Sequence, residues 1–106
     1  MELNEYQRLS KRTMPKNNRE GIANYTIGLV AEAGEVADIV KKELFHGHEK
    51  DVESVKKELG DVLHYFSGLA TMYELSLEEI AQTNIDKLNK RYPNGFEVER
   101  SVNRND

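Results

Sequence analysis

The sequence predicts an all-α fold, and three observations support it. Apolar residues recur at alternating steps of three and four along residues 19–45 and again along 52–73, which is the period of a helix. Residues 76–79, Ser-Leu-Glu-Glu, form a capping box that predicts a further helix from about 77 to 90. No stretch shows the strict alternation of a strand. With a short amphipathic segment from residue 3 or 4 to about 12, we expect four helices in an oligomeric bundle.

Length and composition limit the classes of protein. The 106 residues fit one domain, which we place at 1–98 and follow with a flexible tail at 99–106. With 15 Lys and Arg against 19 Asp and Glu, the net charge is −4, so we expect no nucleic-acid partner. Cysteine is absent and no apolar run approaches the ~18 residues of a membrane span. These features predict a cytoplasmic protein without a membrane partner.

The sequence predicts which residues of the first helix face inward and where the helix is interrupted. Tyr6 and Leu9 are the predicted inward residues of the first helix. Residues 13–19 contain Pro15 and few helix formers, so they interrupt the helices. This break is either a solvated loop or a mobile flap whose Lys16 or Arg19 meets a phosphate.

The second helix, about 19–45, carries an apolar stripe with an acidic pair on its flank. Glu32 and Glu35 are three residues apart and therefore share one side of the helix. Gly28 and Gly34 mark close approach either of another helix or of a ligand, and the sequence leaves both readings open. The stripe itself consists of small and apolar residues: Ile22, Thr26, Leu29, Ala33, Val36, Ala37, Val40 and Leu44.

The third helix, about 52–73, repeats this arrangement after an N-cap at Asp51. Glu58 and Asp61 fall to one side, with Tyr65 in line with them. Because a short turn at 46–51 joins the two helices, we expect them to pack antiparallel along their stripes, with the acidic flanks facing a shared groove. The stripe of this helix comprises Val52, Val55, Leu59, Val62, Phe66, Leu69 and Tyr73.

The two acidic pairs predict a magnesium site. Four carboxylates crowded into a partly dry groove repel one another, and a hard divalent cation with oxygen ligands relieves that repulsion. The alternative is ordinary solvated surface charge. His46 and His48 lie in the predicted turn, where we expect loop or capping roles rather than zinc binding.

The end of the fourth helix is polar and basic. It carries Asn84, Lys87, Lys90 and Arg91 and stops at the turn 92–96, Tyr-Pro-Asn-Gly-Phe. It is either a phosphate clamp or a solvated helix end whose cations suit the helix dipole.

The chain resembles the MazG-like nucleotide pyrophosphohydrolases over about residues 4–96. The resemblance rests on the paired motifs at 32–35 and 58–61, their order and spacing, and the segment 87–96, Lys-Leu-Asn-Lys-Arg-Tyr-Pro-Asn-Gly-Phe. It implies an all-α NTP pyrophosphatase fold, a homodimer or homotetramer with sites near the interface, and dependence on Mg²⁺ with Mn²⁺ as a substitute. The implied reaction converts an NTP or dNTP to the monophosphate and pyrophosphate, a house-cleaning of the nucleotide pool.

The same resemblance assigns residues to roles. Glu32, Glu35, Glu58 and Asp61 match the metal-binding and catalytic acids of the family. The substrate-binding residues are Asn84 and Lys87, with Lys90 or Arg91. His64 is a departure, because many relatives have Trp or another aromatic residue there.

From these residues we expect a metal-activated water to attack the α-phosphorus, with one acid, such as Glu35, orienting it. Tyr25, Tyr65 and Phe45 either surround the base or pack in the core. Two other classes stay open: a non-catalytic helical adaptor and a di-iron carboxylate bundle. The second needs two Glu-x-x-His motifs, and only Asp61 to His64 comes close.

Overall fold

A computed structural model describes residues 1–104. The helices are α1 (Leu3–Ser10), α2 (Arg19–Phe45), α3 (Val52–Met72), α4 (Leu77–Arg91) and α5 (Val98–Val102), with a 3₁₀ turn at Lys11–Thr13. No β-strand occurs in this part of the chain, so the all-α prediction is confirmed. The short helix α5 begins at Val98, the last residue of the predicted domain, and continues into the segment predicted as a flexible tail. The last two residues of that segment, 105 and 106, lie outside the described range.

Local capping explains where the three long helices begin. The side chain of Asn18 accepts a hydrogen bond from Gly21 N at 2.9 Å, and that of Asp51 accepts one from Ser54 N at 3.0 Å. Ser76 and Glu79 exchange both hydrogen bonds of a capping box. Each bond satisfies a backbone donor that the first turn of a helix leaves unpaired.

A buried glutamine joins α1 to the junction of α3 and α4. Gln7 donates from Nε2 to Thr71 Oγ1 (3.0 Å) and to the carbonyl of Leu75 (2.8 Å), and its Oε1 accepts from Leu77 N (2.9 Å). The prediction of Leu9 as an inward residue is wrong, since 48% of it is exposed. The three hydrogen bonds of the Gln7 amide orient α1 so that the side of the helix carrying Gln7 contacts the core. Leu9 lies on a different side and stays exposed.

The loop between α1 and α2 is anchored at both ends. Asn17 donates to the carbonyl of Met72 at 3.1 Å, and the Tyr25 hydroxyl donates to the carbonyl of Thr13 at 3.4 Å. Gly21 meets the carbonyl of Lys16 so closely that no side chain fits there. The loop therefore packs against the start of α2 and the end of α3.

Helices α2 and α3 pack antiparallel along a line of aromatic rings set against glycines. The ring of Tyr25 lies against Gly68, and the ring of Tyr65 lies against Gly28. Tyr25 is 4% exposed, and the two tyrosine rings meet edge to face with centroids 4.9 Å apart. The two glycines provide the room that lets these rings fill the helix interface.

The prediction that the two apolar stripes meet each other is wrong. The face of α2 that contacts α3 is rotated by roughly 100° from its predicted stripe, taking about 100° per residue. The reason is that glycine adds no apolar side chain to a stripe, yet it allows the closest approach. Large stripe residues that stay exposed are Val40, Leu44, Val52, Leu59, Phe66 and Tyr73.

These exposed apolar residues form one surface, which we call the outer face. In both helices the stripe is offset in the same rotational sense from the line of contact, and in an antiparallel pair this puts both stripes on the same side. Leu44 is 62% and Val52 59% exposed. None of the described helices combines the length and apolar character needed to cross a membrane.

Candidate metal centre

Three of the four predicted acids converge between α2 and α3. Glu32, Glu58 and Asp61 each offer a carboxylate oxygen, and these oxygens lie within 4.8 Å of one another. Glu32 and Glu58 are half-buried and Asp61 is exposed. Such a group of oxygen ligands, with Asp61 exposed to solvent, has the donor type that Mg²⁺ prefers.

The aromatic and glycine contacts hold these acids together. Gly28 lies one helical turn before Glu32, and Tyr65 lies about one turn after Asp61. The contact of Gly28 with the Tyr65 ring fixes how closely the two helices approach just beside the acids. The packing and the acidic cluster are therefore parts of one arrangement.

The cluster raises the pKa of Glu32 above its ordinary value. The largest cause is a hydrogen bond with the Glu58 carboxyl, followed by partial burial and by repulsion from Glu58, Asp61 and Glu35. Negative charges this close disfavour the charged form of Glu32. The ion pairs found on α2 and α3 involve Asp38 and Glu53 instead. A divalent cation fits this electrostatic need.

Glu35 lies beside the group of three rather than in it. It lines an adjoining cavity of about 430 Å³ together with Glu58. Asp38, Lys42 and His48 also line this cavity, and Lys42 Nζ lies 2.8 Å from Asp38 Oδ2. The sequence assigned none of these three residues to a site, although the i, i+4 spacing of Asp38 and Lys42 is a signal for such a pair.

The predicted substrate-binding residues divide between two surfaces. Asn84 and Lys87 line a shallow cavity on α4 of about 370 Å³. Lys90 and Arg91 line a separate cavity of about 480 Å³ at the end of that helix. Neither cavity shares a residue with the one beside the acids, so one chain does not assemble all eight predicted residues around a single cavity.

The aromatic candidates for a base site are placed differently from one another. Tyr25 and Tyr65 pack in the helix interface, whereas Phe45 is 78% exposed at the end of α2. His64 is part of this interface: its Nδ1 lies 2.9 Å from Ser10 Oγ and its Nε2 lies 3.1 Å from the Tyr25 hydroxyl. It therefore links α1, α2 and α3. Among residues 1–104, His46 and His48 belong to no group of potential metal ligands.

Fold and site together define a helical protein with a carboxylate centre suited to a divalent cation. Residues 20–96 match the family model described as the MazG nucleotide pyrophosphohydrolase domain. The chain belongs to the MazG nucleotide pyrophosphohydrolase family, as its motifs indicated. It is 38% identical over 80 residues to the Gene 37 protein of Mycobacterium phage L5, covering 72% of this chain and 70% of that protein, whose name states no activity. No solved structure matches the chain significantly.

Proposed function

We propose that the protein hydrolyses nucleoside triphosphates, NTP or dNTP, to the monophosphate and pyrophosphate in a Mg²⁺-dependent reaction. The observation that carries the proposal is the convergence of Glu32, Glu58 and Asp61 in a chain of this family. The proposal includes Mn²⁺ as a substitute and a cytoplasmic location, where the nucleotide pool is found.

Glu32, Glu58 and Asp61 would hold the cation. Bound Mg²⁺ would supply positive charge for the phosphate oxygens and acidify a water molecule. Glu35, which lines the cavity beside Glu58, would accept a hydrogen bond from the attacking water and take its proton. The water oxygen bonds to the α-phosphorus as the bond from that phosphorus to the bridging oxygen breaks, and pyrophosphate leaves with the electron pair.

We further propose that two or more copies of the chain pair through the outer face. Apolar residues exposed along both α2 and α3 support this, because a monomer that leaves Leu44, Val52 and Leu59 in water forgoes the free energy of burying them. The family resemblance implies the same kind of assembly, a homodimer or homotetramer with sites near the interface.

The test is a screen of NTPs and dNTPs for pyrophosphate release in Mg²⁺. We expect Glu58→Gln to lower kcat by at least about 100-fold, since it removes a ligand from the centre. Glu53→Gln is the matched control, because this residue lies on the same helix in an exposed ion pair with Lys56. Equal activity of Glu58→Gln and wild type would remove the centre from the mechanism.

A non-catalytic helical adaptor is the second candidate, and the extent of the outer face favours it. The two functions differ in their response to metal. An enzyme with this centre gains about 2.7 kcal/mol of stability when Mg²⁺ is at 100 times its Kd, whereas an adaptor without a metal site shows no thermal shift. A thermal melt with and without Mg²⁺ separates them.

A further inference from the structure

His64 places its two ring nitrogens next to hydroxyl groups from other elements of the fold. Its Nδ1 lies 2.9 Å from the hydroxyl oxygen of Ser10, the last residue of α1. Its Nε2 lies 3.1 Å from the hydroxyl oxygen of Tyr25 on α2, and the Thr13 hydroxyl is more distant at 3.5 Å. Neither Ser10 nor His64 belongs to the acidic cluster, so this group of side chains has no part in the proposed metal chemistry.

The directions of these hydrogen bonds follow from the single proton that each hydroxyl carries. The Tyr25 hydroxyl lies 3.4 Å from the carbonyl oxygen of Thr13, which can only accept, so Tyr25 donates its proton there. The contact between Tyr25 and His64 is then made by Nε2–H, with the Tyr25 oxygen accepting. In this tautomer Nδ1 carries no proton and accepts the hydrogen bond of the Ser10 hydroxyl. The opposite tautomer would take the Tyr25 proton for Nε2 and leave the contact with Thr13 unmade.

Ser10, His64 and Tyr25 therefore have the arrangement of a nucleophile, its base and a group that orients the base. A serine hydroxyl is a weak nucleophile alone and becomes reactive when a neighbouring base takes its proton during attack. The His64 ring is held on two sides, since its centroid lies 5.5 Å from that of Tyr25 and 5.3 Å from that of Tyr65. The unprotonated nitrogen thus stays directed at the Ser10 hydroxyl.

This group is buried at one end and open at the other. Tyr25 is 4% exposed, which restricts the orienting hydroxyl to its two partners. Ser10 is half-buried, and its neighbours in the chain, Leu9 and Lys11, are exposed. A small reagent therefore reaches the serine from the solvent side while the base behind it stays fixed.

We propose that Ser10 is a modification site that takes an acyl group from an activated ester, with His64 as its general base. The Ser10 oxygen bonds to the carbonyl carbon of the ester as its proton moves to His64 Nδ1. The bond from that carbon to the leaving oxygen then breaks. The leaving group departs with the electron pair and takes the proton back from His64. The products are an ester on Ser10 and a free alcohol or phenol.

The experiment measures acetylation of the full chain by p-nitrophenyl acetate in EDTA, with the labelled residues located by mass spectrometry of peptides. Ser54 is the internal control, because it is also half-buried but donates its hydroxyl proton to the Asp51 carboxylate at 2.7 Å. Hydrogen bonds from Ser54 hold the pKa of Asp51 below its ordinary value, so this carboxylate is a much weaker base than an imidazole. We expect Ser10 to be acetylated at least about tenfold faster than Ser54.

Two substitutions of His64 separate a chemical role from a structural one. His64→Gln keeps a hydrogen-bonding amide but has no basic nitrogen, and we expect it to lower the acetylation rate of Ser10 by about 100-fold. His64→Ala should lose the same reactivity and recover part of it, relative to Ser54, when free imidazole is added. The acetylation rate of Ser54 without imidazole should be the same in both variants as in wild type. Circular dichroism verifies that each variant keeps its helices.

Three results would overturn the inference. Equal acetylation rates of Ser10 and Ser54 in the wild-type protein would show that Ser10 is not activated. An unchanged ratio of the two rates in His64→Gln would remove His64 from the reaction. A folded His64→Ala variant that gains nothing from imidazole would show that His64 only holds the helices together. The proposed triphosphate hydrolysis is measured separately, by pyrophosphate release, and stands or falls independently of these results.

Discussion

Gly28 and Tyr65 form the closest contact beside the acidic cluster: a Cβ atom built on Gly28 would lie 2.5 Å from Tyr65 Cε1. The ring occupies the space that a side chain would need. Since Gly28 precedes Glu32 by four residues and Tyr65 follows Asp61 by four, this contact sets the helix separation at the acids. The spacing of the candidate metal ligands therefore depends on a residue that has no side chain.

Gly28→Ala is predicted to destabilise the protein by about 1–3 kcal/mol, because the added methyl group would lie too close to the Tyr65 ring and overpack the interface. Urea denaturation measures the change. Gly34→Ala is the matched control on the same helix: nothing lies within 4 Å of its would-be Cβ. It is expected to stabilise by up to about 1 kcal/mol through helix propensity. Equal effects of the two substitutions would show that the Tyr65 contact is not tight.

Because the pKa of Glu32 is raised, we predict that Glu32→Gln increases the thermal stability of the metal-free protein, and that the increase depends on pH. A carboxyl whose folded pKa lies above its unfolded value favours folding below the unfolded pKa, and this contribution is lost as pH rises through the folded pKa. Above that pKa, the charged Glu32 is repelled by its neighbours. Glu32→Gln removes the repulsion, so its Tm in EDTA should exceed that of wild type at pH 7–8.

The difference in Tm between Glu32→Gln and wild type should shrink as the pH falls toward 4.5, which is the ordinary pKa of this carboxyl. Thermal melts in EDTA from pH 4 to pH 8 measure the difference. Glu53→Gln, whose carboxylate pairs with Lys56 at 3.1 Å, is the control without this gain. A constant difference between Glu32→Gln and wild type across the whole range would contradict the assigned cause.

Tyr25→Phe is predicted to destabilise the fold by about 0.5–1.5 kcal/mol, because it removes the hydroxyl that contacts His64 Nε2 at 3.1 Å and Thr13 O at 3.4 Å while keeping the ring. Chemical denaturation gives the value. Tyr73→Phe is the control, since Tyr73 is 61% exposed at the end of α3. A loss no larger than that of the control would mean that water replaces these bonds at no cost.

Leu59→Glu is predicted to shift the protein toward the monomer if copies pair through the outer face, because pairing would bury the new charge without a partner. Light scattering after size-exclusion chromatography measures the mass. Leu3→Glu is the control, since Leu3 is similarly exposed (46% against 52%) but lies at the start of α1. An unchanged mass for a wild-type oligomer would locate its interface elsewhere.

Local sequence signals predicted the helices well. Residues 19–45 and 77–90 were expected to be helical, and α2 and α4 occupy Arg19–Phe45 and Leu77–Arg91. The reason is that caps and turns are short-range: Asn18, Asp51 and Ser76 each bond within three residues. The i, i+3 spacing likewise placed each acidic pair on one helix side before any packing was known.

Sequence patterns did not predict which helix faces meet. A stripe is found by counting apolar side chains, and Gly28 and Gly68 contribute none, although they allow the closest contacts. The sequence also could not predict which of the four acids come together. Whether Glu35 joins Glu32, Glu58 and Asp61 depends on how the two helices are rotated relative to each other. Helix α5 was missed because five residues carry little periodicity.

The sequence by itself determined the helical class, the helix limits and the two acidic pairs, because these depend on hydrogen bonds and spacings within one helix. Only the tertiary structure decided that Tyr25 and Tyr65 fill the α2–α3 interface, that three acids converge there, and that apolar stripes remain on the outer face. The physical reason is that close packing between helices depends on how side chains fit the free space of the opposite helix, which no pattern along a single helix records.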